Sequence, residues 1–424
     1  MQKEPEEPSE DGHRCGRQTG HATFFVFVTV CFDAIGFGII IPVLPDLIGE
    51  LADLGLGGAA LWGGWLSFSY ALMQFAFGPV VGNLSDRFGR RPILLASLVV
   101  LTIDYLIMAM APNLFTLFVG RTIAGIAAAT YSTCNAYVAD VSSPEDRAKN
   151  FGLLGAGFGL GFILGPLIGG GAAEFGTRAP FYAAAVVAFV NFCYGLLVLP
   201  ESLPRERRRT FKWRRANPLG AIRQIRKIPM VSWFVVTYFL FDVAHFVYPV
   251  IWAYYTKEAF GWSSSEVGLS LAIVGVGFVV VQGWLIRIIL PRVGNVRTTI
   301  AGILINIVGF IGLAFATQGW MIYALMPVVA LGAIVSPALT AIMSNRVPDD
   351  SQGELQGTIT SVTAVTLVVS PILMTQLFGL FAGPDAPIYL PGAPFIAAAV
   401  ITAMALLPFM TGLRLQRKSA FPTD

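Results

Sequence analysis

Twelve long apolar stretches, near residues 23–48, 60–82, 92–111, 114–139, 150–173, 179–199, 230–255, 265–289, 298–317, 320–344, 357–381 and 392–412, dominate the chain. About 20 apolar residues in a helix cross the roughly 30 Å of a bilayer's hydrocarbon, so each stretch has the length of one crossing. Of the 424 residues, 55% are hydrophobic and 12% charged. Soluble domains carry about 45–50% and about 25%, so an ordinary cytosolic enzyme is excluded. Residues 1–22 are polar and hold Glu4, Glu6, Glu7, Glu10 and Asp11, without the basic flank and short apolar core of a cleaved signal peptide. The expectation is an all-α integral membrane protein with twelve transmembrane helices.

An even number of crossings returns both termini to one side, and the cations identify that side. Of 28 Lys and Arg, 25 fall in the termini and the even-numbered connections, two (Arg178 and Lys257) on the opposite face, and Arg121 inside the fourth stretch. The termini are therefore expected in the cytoplasm. Ten cations lie between residues 201 and 229 and divide the chain at its middle. The expected organisation is a flexible cytoplasmic tail (1–22), an N-terminal six-helix half (23–200), a basic cytoplasmic linker (201–229), a C-terminal six-helix half (230–412) and a second cytoplasmic tail (413–424).

A weak internal repeat supports the two halves. Gly82-Asn-Leu-Ser-Asp-Arg-Phe-Gly-Arg-Arg is echoed by Leu290-Pro-Arg-Val-Gly-Asn-Val-Arg, without the Asp, and Gly152/Pro166 share a spacing with Gly357/Pro371. Paired six-helix repeats about an axis along the membrane normal form a transporter architecture with its site near the midplane. The linker charge can bind anionic headgroups or simply set topology. Four cysteines without a C-x-x-C spacing and a net charge of +3 imply neither a zinc site, a disulfide framework nor nucleic-acid binding.

An ionisable residue inside a span costs about 2.5–3.5 kcal/mol on insertion scales and is a functional candidate by default. The stretches hold Asp33, Asp104, Arg121, Asp242 and His245. Asp104 and Arg121 stand at matching distances from the turn at Pro112 and Asn113, and Asp33 falls near the midplane. Two carboxylates and one guanidinium can therefore cluster, either as a structural ion pair or as a site with one acid left to change protonation. Asp242 and His245, at i and i+3, share a helix face and can bind a proton, orient a substrate or line a polar pocket. No metal site is expected, because the other histidines, His13 and His21, lie in the tail. Gly157, Gly161, Gly165 and Gly169 form a small-xxx-small stripe beside Pro166 and Gly170 that permits close helix packing. Asp86 opens the next helix, where a carboxylate opposes the positive helix end.

The whole set of motifs resembles the major facilitator superfamily, and within it the tetracycline:proton antiporter-like drug exporters, from about residue 23 to 412. The resemblance rests on Asp33-Ala-Ile-Gly-Phe-Gly to Pro45, Tyr70-Ala-Leu-Met-Gln74, Gly82-Asn-Leu-Ser-Asp-Arg-Phe-Gly-Arg-Arg-Pro92, Asp104-Tyr-Leu, Gly120-Arg-Thr-Ile-Ala-Gly125 and Gly155 to Gly170. It implies a cytoplasmic gate of Gly82, Asp86, Arg87, Gly89, Arg90 and Asp140, and an antiporter-like helix motif of Gly157, Gly161, Gly165, Pro166, Gly169 and Gly170. It also matches Asp33, Asp104 and Arg121 to membrane-embedded residues of the antiporters' N half; with Gln74, Asp242, His245 and Asn306 added, these make up the expected proton-coupling and substrate cavity. The second half departs from the pattern: Phe278 stands where the family carries a histidine, and Asn306 where it carries an aspartate.

The reading that follows is a proton-coupled secondary transporter, not an enzyme, in a bacterial inner membrane, without cofactor. Its partners are protons, the lipid bilayer and a small amphipathic substrate, exported as in multidrug or tetracycline-like efflux. A symporter or metabolite carrier of the same fold, and a transport-inactive scaffold or receptor, remain as alternatives. An ATP-driven pump is disfavoured because no G-x-x-x-x-G-K-[ST] occurs.

Overall fold

The computed structural model describes residues 10–128, 130–143, 146–211, 213, 229–348, 351–383 and 386–420. Most of the basic linker 201–229 and the outer ends of both tails therefore lie outside the described residues. The described chain is helical throughout: α1 (Glu10–Ile40), α2 (Leu44–Ala52), α3 (Leu56–Phe88), α4 (Arg90–Met110), α5 (Leu114–Ala127), α6 (Thr130–Val141), α7 (Arg147–Ala173) and α8 (Ala179–Val198). After the linker follow α9 (Pro229–His245), α10 (Val247–Phe260), α11 (Ser264–Val280), α12 (Ile286–Val293), α13 (Asn295–Ala314), α14 (Gly319–Gly332), α15 (Val335–Ser344), α16 (Gln352–Phe381) and α17 (Ala393–Ala420). Residues 10–22, expected as a tail, extend α1 as helix, since lengthening an existing helix is far cheaper than nucleating one.

Every apolar stretch marked in the sequence lies on helix. Among the described residues ten spans are long and apolar enough to cross a membrane, and an eleventh if Phe24–Ile40 and Leu44–Ala52, bent by 46°, count as one. The 33-residue α3 is not among them; its Gly, Ser and Trp dilute its hydropathy. Large apolar side chains such as Phe115, Leu197 and Leu407 point outward, as a lipid-facing surface requires. Local signals set the helix ends. Asn113 caps α5 by accepting from the Thr116 amide at 2.9 Å, and Ser263 with Glu266 forms a capping box on α11. The turns into α4 and α13 pass through Gly89 (φ 109°) and Gly294 (φ 83°), a backbone region that L side chains avoid. Those glycines occupy corresponding places in the two copies of the sequence repeat.

Several crossings are interrupted. Besides the bend between α1 and α2, breaks separate α5 from α6 at Ala128, α9 from α10 at Phe246, and α14 from α15 at Ala333 and Ile334. A π-helical turn, Val281–Leu285, joins α11 to α12. Breaks within spans are tolerated where protein or a cavity, rather than lipid, meets the freed backbone groups.

Helices before the linker pack mainly on one another, as do those after it, and α3 with α16 and α7 with α11 are the main seams between the two sets. Both seams are built on glycine. A Cβ at Gly170 would lie 2.7 Å from Ser264 O, one at Gly275 2.7 Å from Ile163 Cγ1, and one at Gly379 2.7 Å from Leu61 Cδ2. Among the described residues, the closest glycine contacts across the seams lie toward the end that carries α2 and α10. At the opposite end Gly78, Gly82, Gly152, Gly155, Gly353 and Gly357 have no such neighbour within 4 Å.

The glycine stripe of α7 lies against α1. A Cβ at Gly157 would lie 2.9 Å from Phe27 O, one at Gly161 2.5 Å from both Ala34 Cβ and Cys31 O, and one at Gly165 2.7 Å from Ile35 O; Gly169 meets Ile39 in the same way. Overpacking of this kind costs about 1–3 kcal/mol. Gly161→Ala is therefore expected to lower the thermal unfolding midpoint of the detergent-solubilised protein, whereas Gly155→Ala on the same helix leaves it unchanged. Equal midpoints for the two variants would contradict the stripe's packing role.

Candidate functional site

The turn at Ala111–Asn113 sends α5 back along α4 and brings Arg121 to the depth of Asp104. Arg121 Nη2 donates to Asp104 Oδ2, with Asp104 buried and Arg121 partly buried. Gly120 makes room, since a Cβ there would lie 3.2 Å from Asp104 Oδ1. The guanidinium also sits over the Tyr70 ring of α3, 5.1 Å from its centroid, a cation–π contact. Asp104 Oδ1 and Arg121 Nε are buried without a hydrogen-bond partner.

Asp33 stands half-buried on α1 within the electrostatic reach of Tyr70 and Tyr105. Tyr105 is buried against the next turn of α1: its Oη would touch a Cβ on Gly36 at 3.0 Å. No ion pair to Asp33 occurs among the described residues, and Arg121 is committed to Asp104. The two tyrosines thus link Asp33 to the pair; in the sequence both fell inside family motifs, Tyr70-Ala-Leu-Met-Gln74 and Asp104-Tyr-Leu, and neither was marked as a site residue. Gln74 is used by the backbone: its Nε2 donates to Ala128 O at 3.0 Å, satisfying a carbonyl at the α5–α6 break.

Asp242 and His245 end α9, directly before the break at Phe246. Asp242 is 8% exposed, and its Oδ2 and His245 Nδ1 are buried without partners. The imidazole stacks on Phe241 with centroids 5.5 Å apart, meets Tyr248 edge-on at 5.2 Å, and faces Phe278 of α11 at 6.0 Å. Asn306 stands one turn before Phe310, whose ring stacks on Tyr248. It is fully buried on α13 and donates through Nδ2 to Gly302 O and Gly332 O, both at 3.0 Å, so its amide ties α13 to α14.

At the open end, Arg90 gathers the residues around the α3–α4 turn; Asp86, expected to open the next helix, stands instead in the last turn of α3, which runs on to Phe88 before the turn at Gly89. Arg90 Nη1 lies 2.7 Å from Asp86 Oδ1 and donates to Ser85 Oγ at 2.6 Å, while Nε donates to Asp140 Oδ2 of α6 at 3.0 Å. Glu201 completes the turn by accepting from the Arg90 amide at 2.9 Å, and the Arg209 amide donates to Asp86 O at 3.0 Å. The start of the linker is therefore docked on this turn, which nothing local in the sequence signals. Arg87 lies over Phe88, 5.1 Å from the ring centroid, and Gly82 faces open space.

The closed end holds a clasp that sequence reading missed. Lys257 Nζ of α10 donates to Asp46 Oδ1 and Oδ2 of α2 at 2.8 and 2.7 Å and to Ser264 Oγ at 2.7 Å. The Ser264 hydroxyl in turn lies 2.7 Å from Asp46 Oδ2 and 3.1 Å from Pro42 O. Lys257 had counted only as a cation on the sparsely charged face, and Asp46 had not been singled out at all. Among the described residues no group of three His, Cys, Asp or Glu is placed to hold a metal ion.

Comparison with known proteins gives this arrangement its relatives. The model of the Major Facilitator Superfamily matches residues 26–371 and 234–420. The tetracycline resistance protein of class C from Escherichia coli is 39% identical over 365 residues, covering 86% of this chain and 91% of that protein. The class G protein from Vibrio anguillarum is 37% identical, covering 85% and 91%, and the class B protein from Escherichia coli is 33% identical, covering 91% and 96%. In fold the chain is similar to a bacterial homologue of the human lysosomal transporter Spinster, crystallised in an inward-facing conformation, with a TM-score of 0.75, 16% identity and coverage of 93% and 97%. It is also similar to the human organic anion transporter MFSD10 (TETRAN), with a TM-score of 0.69, 21% identity and coverage of 92% and 99%. The chain belongs to the Major Facilitator Superfamily, a family of membrane transport proteins rather than enzymes, and groups there with the tetracycline resistance proteins.

Proposed function

We propose that this protein is a proton-coupled secondary transporter that exports a small amphipathic compound from the cytoplasm by alternating access. The observation that carries the reading is the embedded cluster in which Arg121 engages Asp104 and leaves Asp33 without a cation. A guanidinium that stays charged holds the site together, while a carboxylate without a partner can take up and release a proton as substrate comes and goes. The similarity to tetracycline resistance proteins supports export over the symporter and scaffold alternatives.

In this reading α3 and the bent α1–α2 pair join the other ten spans to make twelve crossings in two six-helix halves. The excess of Lys and Arg puts the termini and the Asp86 turn in the cytoplasm. The end with open seams then faces the cytoplasm and the Asp46–Lys257 clasp faces outward, so the described conformation is the one that admits substrate from inside. Rocking of the halves opens the clasp and brings the glycines of the open end together.

Asp33→Asn and Asp104→Asn are each expected to abolish accumulation of substrate against its gradient in proteoliposomes, and a protonophore abolishes it in the wild type. Retention of uphill flux by both variants would sink proton coupling at this cluster. Asp86 and Arg90 act on the conformational equilibrium rather than the substrate, so Asp86→Ala slows turnover more than it weakens equilibrium binding. Normal turnover with weakened binding would instead place Asp86 in the substrate site.

The substrate differs from a metal-chelated tetracycline, or tetracycline is handled poorly. Asn306 neither ionises near neutral pH nor contributes negative charge, and Phe278 replaces a titratable imidazole with an apolar ring. Weak tetracycline resistance in a sensitive host, raised by Phe278→His with Asn306→Asp, is the expected result. Strong wild-type resistance that is indifferent to Asp242→Asn would overturn it.

A further inference from the structure

The α9–α10 junction holds a group of side chains that the Arg121 cluster does not use. Asp242 is nine-tenths buried with Oδ2 unpartnered by hydrogen-bond geometry, and the hydroxyls of Thr363 and Thr366, which interact with its carboxylate, carry no charge to balance it. No ion pair to it occurs among the described residues, and Lys257, the next cation along the chain, is committed to Asp46. His245 Nδ1 and Tyr248 Oη are also buried without partners. Three polar groups left unpaired on consecutive turns are a large expense for a folded protein, because each unmet buried group costs about 1–3 kcal/mol. A ligand that satisfies them removes that penalty.

The surroundings define the ligand's other half. His245 is layered on Phe241, Tyr248 on Phe310 of α13 with centroids 5.3 Å apart, and Phe278 closes the group from α11. His245 and Phe278 remain half-buried, so the aromatic wall is not sealed off. Aromatic faces carry negative quadrupole charge and attract cations, and flat rings pack well against them. An uncompensated carboxylate beside such a wall favours positive charge and disfavours negative charge. The position, at a break in a mid-membrane helix, is where backbone departs from regularity to line a site.

We propose that the Asp242–His245–Tyr248 junction is a binding site for planar aromatic cations, with the charge at Asp242 and the ring system against His245 and Phe278. The proposal deepens the export reading by naming a substrate class and rests on that reading for its physiological meaning. The test does not need transport. Equilibrium binding to the purified full-length protein in lipid nanodiscs, without any gradient, separates a failure of this site from a failure of proton coupling.

Three fused-ring probes of similar size differ in charge near neutral pH: 9-aminoacridine is a cation, acridine is neutral, and anthracene-9-carboxylate is an anion. Fluorescence anisotropy is expected to rank the cation at least about tenfold above the other two, the scale of one charge or cation–π contact removed from water. Asp242→Asn abolishes that preference and Asp242→Glu, which keeps the charge, retains it. Phe278→Ala weakens 9-aminoacridine several-fold without reversing the order. Equal binding of the three probes by the wild type, or an undiminished cation preference in Asp242→Asn, would overturn the proposal. The wild-type comparison decides it even if a variant fails to fold.

Discussion

Hydrocarbon offers a peptide group nothing to hydrogen-bond, and it offers an apolar side chain nothing better than the lipid already touching it. The first fact makes every crossing a helix. The second removes the usual force that drives helices together and leaves close packing to do it. In this chain that packing is written in glycine. Gly161 and Gly165 let α7 settle on the backbone of α1, and Gly170 and Gly275 let α7 and α11 meet across the seam. Without these approaches the polar groups of the interior would have no fixed geometry to act in.

Against that rigid frame the interior charges are few and individually placed. Arg121 satisfies Asp104, Arg90 satisfies Asp86 and Asp140, and Lys257 satisfies Asp46. Each pair ties together different helices, so each records a conformation as well as a contact. Asp33, within the apolar part of α1, and Asp242, on α9, are acids that these cations leave aside. They stand on spans that are bent or broken farther along, after Ile40 and at Phe246.

Much of this was legible in the sequence because it depends on period and composition. Apolar stretches of membrane length became helices, the stripe Gly157 to Gly169 became a helix contact, and the spacing of Asp104 and Arg121 about Asn113 placed them at one depth. Contacts between remote segments were not legible. Nothing near Glu201 announces that it accepts from the Arg90 amide, and nothing near Asp46 announces Lys257, 211 residues away. Asn306 shows the converse limit. Its alignment with a family acid suggested a cavity position, but its side chain serves two backbone carbonyls. A single sequence gives residue types at positions, while the direction a side chain takes depends on what packs beside it.

The bond between α1 and α7 has a mechanical consequence. Four glycines along one face of α7 engrave it into α1, so the two helices cannot slide or twist independently without a steric collision. One member of this doublet carries Asp33, and the other supplies a face of the α7–α11 seam. In the proposed proton-coupled cycle, a displacement that follows protonation at Asp33 is delivered to the seam as motion of a single stiff body, with little slack in which the effort could be dissipated. On that proposal, tight gearing of this kind would keep a proton from crossing without its cargo, and would assign to an uncharged, chemically inert stripe the task of limiting leak.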